Sequence, residues 1–182
     1  MEKIDSLQIS LNELEEGKCP GISKSWGYFL CEASKACFDN QSYASGVKMP
    51  LDGIIKVECE VKWSREIDEQ ARRSWNDTQE MTEYGACGVA VLLVLKFTEY
   101  TVIERSKKGT GFDYWLGFKN SELPFQNSAR LEISGILKGD KVAFNSRVNQ
   151  KLKQTFPTDN TKLPAYVVVV EFSEPKAKMV TK

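Results

Sequence analysis

Residues 101–136 have the sequence TVIERSKKGTGFDYWLGFKNSELPFQNSARLEISGI, and this stretch decides the fold that we predict. It contains three short runs typical of β-strands, and a turn rich in lysine and glycine separates the first two. Acidic residues occur at corresponding places on the three runs: Glu104, Asp113 and Glu132. Carboxylates on adjacent strands offer the oxygen ligands that Mg²⁺ prefers. The stretch therefore predicts a divalent-metal site on a sheet.

The overall composition is that of an ordinary globular protein. The chain has 182 residues, of which 41% are hydrophobic and 27% are charged. This is enough for one domain with a buried core, which we place at residues 1–182. The 25 basic residues equal the 25 acidic residues, so the net charge gives no general attraction to nucleic acid or membrane. Binding to a polyanion would need a local basic patch.

The chain contains no histidine. This excludes Ser-His-Asp and Cys-His nucleophilic sites in their usual form, together with every metal site that uses histidine ligands. Catalysis would have to depend on carboxylates, lysine, tyrosine, cysteine or a metal held by oxygen ligands. The missing residue type therefore restricts the candidate chemistry more than the net charge does.

The five cysteines predict a reducing environment. Their odd number and the lack of a CxxC pair argue against a disulfide framework, so we expect buried, reduced thiols and a cytoplasmic location. The first ten residues have no apolar segment typical of a secretory signal. The longest apolar run, residues 89–95, is far shorter than a membrane span, so we predict no membrane partner.

The N-terminal third of the chain predicts helices followed by a strand. Residues 10–13, SLNE, match a capping box that would begin a short helix. Ser23 or Ser25 could cap a second helix. Residues 40–50 are turn-like. Residues 55–63 alternate apolar and charged side chains, which predicts a strand with one buried face.

Residues 65–96 have a helical pattern. Within them, residues 77–80, DTQE, either begin a second helix with a capping box or lie inside one long bent helix. The second half of the segment is apolar nearly all round, which predicts a buried helix. Gly85 and Gly88 each cost about 1 kcal/mol of helix stability relative to alanine. We expect that they allow this helix to approach a sheet closely.

Two more elements follow the three predicted strands. Residues 142–154 carry apolar side chains at helical spacing. Residues 166–172, YVVVVEF, form an apolar run typical of a strand that is buried on both faces. The basic tail after Pro175 is expected to fray. The predicted order is therefore helix, three strands, helix, strand.

This order resembles the core of the PD-(D/E)XK nuclease superfamily, which is α-β-β-β-α-β. The resemblance covers about residues 78–172. It implies an α/β fold in which a restriction-endonuclease-like core is built around a mixed central sheet. We place this core at residues 65–175 and an N-terminal helical and β-strand extension at residues 1–64, both within the single domain.

The resemblance also implies a set of site residues. In the superfamily, a helix glutamate, a second-strand aspartate and a third-strand acid that precedes a lysine by two residues meet at the sheet. Here the helix acid would be Glu83 or Glu80, and the strand acids would be Asp113 and Glu132. Asp113 and Glu132 would bind Mg²⁺, with Glu83 as a supporting acid. Such a metal activates water and offsets charge during phosphoryl transfer.

One position departs from the superfamily pattern. Ser134 stands where the superfamily has the lysine, and a hydroxyl group cannot supply that positive charge. Lys151 or Arg147, on the following helix, would have to reach back and replace it, and Lys151 completes the catalytic set. A solvated surface is the alternative role for the other basic residues near the site. Those that would contact a nucleic-acid backbone are Lys107, Lys108, Arg147 and Lys153.

The residues around Asp113 also allow simpler roles. Gly109 and Gly111 predict a hairpin turn with positive φ angles. Phe112 and Tyr114 predict packing against the sheet, with base stacking as the alternative. An acid between such aromatic residues needs a partner or a metal if it points inward.

The sequence supports two classes of function. The first is a Mg²⁺-dependent nuclease, or a catalytically degenerate nuclease-like protein that binds nucleic acid. The second is a non-catalytic scaffold or partner subunit of a bacterial complex, to which the missing lysine and the segments around Trp26, Trp63 and Trp75 point. The blocks RSKKGTGFDYWLG and ARLEISGI are also similar to those of a family of uncharacterised bacterial proteins. This similarity supplies no activity. A role in defence against foreign DNA belongs to the hypothesis of a bacterial complex.

Overall fold

The computed structural model describes residues 7–182, which form four α-helices and eight strands. The helices are α1 (Lys24–Asn40), α2 (Glu69–Ser74), α3 (Thr78–Phe97) and α4 (Lys141–Gln154). The strands are β1 (Leu7–Ser10), β2 (Val47–Gly53), β3 (Val57–Lys62), β4 (Tyr100–Arg105), β5 (Tyr114–Phe118), β6 (Ala129–Ile136), β7 (Ala165–Glu171) and β8 (Lys176–Thr181). The described residues also include two 3₁₀ helices, Leu11–Glu16 and Phe156–Thr161.

All eight strands belong to one mixed sheet in the order β1-β3-β2-β8-β7-β6-β5-β4. Neighbouring strands β4, β5 and β6 are antiparallel, whereas β6 and β7 are parallel. The strands of the predicted extension continue the same sheet, because β8 lies between β2 and β7. The predictions of an α/β fold and a mixed central sheet are confirmed.

Helices cover both faces of the sheet. Helices α1 and α3 share one hydrophobic core with Val168 and Val170 of β7. Helix α4 lies on the opposite face, where Val148 packs in a second cluster with Val167 and Val169. Successive residues of a strand point to opposite faces, so the apolar run in β7 is buried on both sides, as predicted for a central strand.

Helix α3 is a separate helix and not part of one long bent helix. The side chain of Asp77 accepts hydrogen bonds from the backbone N–H groups of Gln79 and Glu80, at 2.9 and 3.1 Å. These bonds cap the orphan amides at the start of α3. Most of the helix from residue 85 onward is buried, as its apolar composition predicts.

The glycines of α3 face another helix. A Cβ atom on Gly85 would lie 2.4 Å from Sγ of Cys37, and one on Gly88 would lie 2.3 Å from Oγ of Ser34. Both partners belong to α1. The prediction that these glycines bring α3 close to the sheet is therefore wrong, since they allow close packing of α3 on α1.

Three local predictions in the terminal regions are wrong. The side chain of Ser10 makes no capping hydrogen bond, although the predicted short helix does follow it, as a 3₁₀ helix. Residues 47–50 belong to β2 and not to a turn. The tail after Pro175 forms β8, which pairs with both β2 and β7. Ladder hydrogen bonds to β7, its neighbour in the chain, and to β2, which is distant in sequence, hold this tail in place.

No helix between residues 7 and 182 combines the length and the apolar character that a membrane crossing requires.

Candidate active site at a notch in the sheet

The candidate site lies where β6 has a neighbouring strand on one side only. Strand β6 pairs with β7 from Arg130 to Ile136, but it pairs with β5 only from residue 129 to residue 131. Beyond this point Oδ2 of Asp113 accepts the backbone N–H of Ile133 at 2.7 Å. We call the unpaired edge at residues 132–136, with Asp113 beside it, the notch.

A cavity of about 680 Å³ opens onto the notch. Helix α3 contributes Glu83 to its lining, the notch contributes Asp113 and Glu132, and helix α4 contributes Arg147 and Lys151. The structure therefore brings the four predicted catalytic residues, and one predicted phosphate contact, into a single cavity.

Local periodicity places the polar side chains of β6 and α4 opposite one another. Glu132 and Ser134 lie on the face of β6 that α4 covers, because they alternate with residues that join the core on the other face. Lys151 Nζ donates a hydrogen bond to Oε1 of Glu132 at 2.6 Å, and Arg147 Nη1 donates one to Oγ of Ser134 at 2.9 Å. Lys151 also donates to Oε1 of Gln154, at 3.1 Å. Both candidate cations thus reach back to the third strand of the core.

Glu83 enters the cavity from the other face of the sheet. A Cβ atom on Gly135 would lie 2.4 Å from the carbonyl oxygen of Thr82, so glycine at this position allows the start of α3 to contact β6. Glu83 follows Thr82 and lines the cavity. Glu80 is exposed and does not line it. Of the two predicted alternatives for the helix acid, Glu83 is the one at the cavity.

The two strand acids form an interacting pair, in which Glu132 is buried and Asp113 is half-buried. Glu132 is only 1% exposed, and its Oε2 atom has no hydrogen-bond donor among the described residues. Burial raises the pKa of Glu132 to about 8, the charge of Asp113 raises it as well, and the pairing with Lys151 opposes this effect. Burial also raises the pKa of Asp113, whereas the hydrogen bond from the backbone N–H of Ile133 lowers it. The pair therefore favours a shared proton or a bound cation.

The residues at the notch fit a hard cation with few protein ligands. No group of three or more acidic, cysteine or histidine side chains between residues 7 and 182 is arranged to hold a metal ion. Mg²⁺ usually keeps several waters and takes only one or two carboxylates. Asp113 and Glu132 supply two carboxylates, and the unpartnered Oε2 atom of Glu132 needs a proton or a cation. This pair suits Mg²⁺.

Four other candidates lie away from the cavity. Glu104 is exposed on β4, and Lys107 and Lys108 are exposed in the turn that follows it. Lys153 lines a different cavity, which includes Phe156. The structure does not bring these residues to the notch. Glu104 and the two lysines lie on β4 or in the turn after it, and Lys153 lies on a different side of α4 from Lys151.

The turn before Asp113 has the predicted geometry. Gly109 and Gly111 have φ angles of +90° and +81°. Phe112 and Tyr114 are buried, so they pack in the protein and are not free to stack on bases. Asp113 between them has the partner that its position requires, the backbone N–H of Ile133.

Sequence reasoning missed a buried arginine that supports the site. Arg130 on β6 is only 2% exposed and donates hydrogen bonds to the carbonyl oxygens of Thr155 and Leu163. It also pairs with Asp159 at 3.3 Å. These contacts tie β6 to the segment that follows α4, and so hold the end of the helix that carries Lys151. A single basic residue in a strand pattern gives no sign of this role, since most are solvated.

Replacing Glu132 with glutamine is expected to flatten the pH dependence of stability. The pKa of Glu132 is raised from 4.5 to about 8 in the fold. Between these values the folded protein retains a proton that the unfolded chain releases. The free energy of unfolding of the wild type should therefore decrease as pH rises through this window, by up to about 1.4 kcal/mol per pH unit. The variant should lack this decrease.

Urea unfolding at closely spaced pH values across the window measures the effect. The control is Glu80→Gln, which removes an exposed acid outside the cavity and should keep the slope of the wild type. Equal slopes in all three proteins would contradict the raised pKa of Glu132.

Comparisons of the chain with protein-family models, with curated proteins and with solved structures found no match. The geometry of the notch is therefore the basis for inferring a function.

Proposed function

We propose that this protein is a Mg²⁺-dependent nuclease whose site is of the PD-(D/E)XK type. The observation that carries the proposal is the pair of carboxyl groups, the buried Glu132 and the half-buried Asp113, beside two cations at the same cavity. Paired hard acids next to positive charge suit a metal-assisted displacement at phosphorus.

The order of elements supports the same proposal. Helix α3, strands β4 to β6, helix α4 and strand β7 follow one another as helix, three strands, helix, strand. The three strands are consecutive neighbours in the sheet, and β7 pairs with the third of them. We propose that these elements form a restriction-endonuclease-like core, to which β1, β2, β3 and β8 add further strands.

Asp113 and Glu132 are the proposed metal ligands. Mg²⁺, when bound, supplies positive charge for phosphate oxygens and makes its bound water more acidic. The chain's own contribution is to hold the two carboxylates together, against the burial that raises the pKa of both and the charge of Asp113 that further raises the pKa of Glu132. Glu83, on the opposite wall of the cavity, is available to orient water.

Lys151 and Arg147 are proposed to take over the task of the absent third-strand lysine. Lys151 places its ammonium group against Glu132, two residues before Ser134, and Gln154 helps to hold it there. Arg147 uses one N–H group on Ser134, and a guanidinium has five in all. Its remaining N–H groups are suited to donate two parallel hydrogen bonds to one phosphate. Positive charge is thus supplied by α4 and not by β6.

A non-catalytic protein is the second candidate, and one contact favours it. The ion pair with Lys151 offsets the negative charge of the Glu132 carboxylate without a metal. In such a protein the notch would bind a nucleic-acid backbone or a protein partner, and the acidic pair would remain from a nuclease ancestor. Metal binding separates the two candidates.

Incubation with single-stranded and duplex DNA and RNA, in Mg²⁺, Mn²⁺ or EDTA, tests the proposal. Cleavage is expected only when a divalent metal is present. The same metals should raise the melting temperature of the protein, because they bind the folded site. The nuclease proposal would be contradicted if none of the four substrates were cleaved and no metal stabilised the protein. The non-catalytic candidate would then remain.

A further inference from the structure

An aromatic cluster adjoins the cavity on the side of α1 and α3. We define it as Trp26 and Phe29 of α1, Trp75, and Tyr84 of α3. The rings of Trp26 and Phe29 are stacked, with centroids 5.1 Å apart and planes at 14°. The ring of Phe29 also meets those of Tyr84 and Trp75 edge-on or tilted, each at 4.9 Å. The cluster is therefore a continuous aromatic surface built from two helices and the segment between them.

Part of the cluster faces solvent. Phe29 is 38% exposed, and Trp26 and Tyr84 are half-buried, whereas Trp75 lies beneath them with 8% exposed. Aromatic side chains of this size are usually buried when their only role is packing. Phe29 thus has surface left to bind something else, whereas the ring of Trp26 is already in contact with Phe29 and with Arg105.

The cluster is joined to the acidic pair through two neighbours in the chain. Tyr84 directly follows Glu83, which lines the cavity. The indole N–H of Trp26 donates a hydrogen bond to the hydroxyl of Tyr114 at 3.2 Å, and Tyr114 directly follows Asp113. The cluster is therefore adjacent along the chain to Glu83, and it contacts the residue that follows Asp113.

Positive charge lies on the same surface. The guanidinium of Arg105 sits over the ring of Trp26, with Cζ 4.8 Å from the ring centroid. Arg105 is exposed and pairs in register with Tyr114, the residue whose hydroxyl Trp26 contacts. Lys107 and Lys108 continue the exposed basic stretch from the end of β4. Neither lysine lines the cavity.

We propose that the aromatic cluster and Arg105 bind the bases and backbone of a single-stranded nucleic acid whose next phosphate enters the cavity; this substrate class rests on the proposed nuclease function. Exposed rings beside a basic stretch are the combination that single-strand binders use, because every base has a face that can stack. A duplex already stacks its bases internally and offers none to the cluster. An apolar protein segment could cover the rings, but it would leave the charge of Arg105 without a partner.

Fluorescence anisotropy in EDTA tests this inference without cleavage. The probes are labelled single strands of about 12 nucleotides, as DNA and as RNA, and the matching duplexes. The single strands should bind at least about tenfold more tightly than the duplexes. Phe29→Ala should weaken single-strand binding by about tenfold, which is the effect expected for one stacked base. Arg105→Gln should weaken it several-fold and reduce its dependence on salt.

Tyr28→Ala is the matched control. Tyr28 is an aromatic residue of the same helix that is 57% exposed, but it lines a separate cavity with Glu32 and Lys35. This variant should bind single strands as the wild type does. Arg105→Gln alters only an exposed side chain, so it keeps the test valid if Phe29→Ala folds poorly.

The outcomes separate this inference from the proposed function. Equal binding of single strands and duplexes, or unchanged binding by both Phe29→Ala and Arg105→Gln, would overturn the single-strand surface even if the protein cleaves duplex. Tight single-strand binding that depends on Phe29 and Arg105, with no cleavage in any metal, would overturn the nuclease and keep the surface.

Discussion

Replacing Asp113 with asparagine is expected to lower the rate of metal-dependent cleavage by about a thousandfold. The change removes one of the two proposed carboxylate ligands while keeping the shape of the side chain. The amide oxygen can still accept the backbone N–H of Ile133, which Asp113 holds at 2.7 Å. The expected loss therefore comes from charge and metal affinity, not from a collapsed notch. Single-turnover cleavage at saturating Mn²⁺ measures it.

Stability measurements exclude unfolding as the cause of that loss. The charge of Asp113 helps to raise the pKa of Glu132, so the variant relieves an unfavourable interaction. Asp113→Asn should be at least as stable as the wild type at neutral pH. It should also lose the stabilisation that Mg²⁺ or Mn²⁺ confers.

Glu80→Gln is the control for activity, because Glu80 lies on the same helix as Glu83 but outside the cavity. It should cleave at the rate of the wild type. Cleavage by Asp113→Asn within about threefold of that rate would remove Asp113 from the metal site.

Replacing Gly135 with alanine is expected to reduce the free energy of unfolding by about 2–3 kcal/mol. The new methyl group would lie 2.4 Å from the carbonyl oxygen of Thr82 and 3.0 Å from Cβ of Ala86. The nearest of these atoms is helix backbone, which cannot swing away as a long side chain can. Helix α3 must therefore move away from β6, and this movement also carries Glu83 away from the notch.

Ser134→Ala provides a control one residue away. Ser134 points to the opposite face of β6, towards Arg147, so its replacement adds no atoms against α3. Urea unfolding of the two variants should show a large loss for Gly135→Ala and a change below about 1 kcal/mol for Ser134→Ala. Similar values for both variants would show that contact of α3 with β6 does not depend on the glycine.

Several parts of the site could be predicted because they depend on local periodicity. A strand alternates its faces, so Glu132 and Ser134 had to share one face. Residues four apart on a helix lie on one side, so Arg147 and Lys151 had to act together. The three strands, helix α4 and strand β7 were predicted near their observed positions for the same reason.

Other parts depend on which elements become neighbours, and local patterns do not contain that information. The tail that we predict to fray forms β8, because it pairs between β2 and β7 in the sheet. Gly85 and Gly88 face α1, although small residues at these positions would equally allow a strand to pack closely against α3. Lys153 lies outside the cavity while Lys151, two residues before it, lies inside.

The sequence by itself determined the chemistry that is available to this protein and the face on which each side chain lies. The absence of histidine and the positions of Asp113 and Glu132 are properties of the chain, and strand alternation is a property of the local backbone. Only the tertiary structure decided that Lys151 lies 2.6 Å from Glu132. That distance depends on the order of strands in the sheet and on the helix that crosses its face, and both are set by burial of apolar surface between segments far apart in the chain.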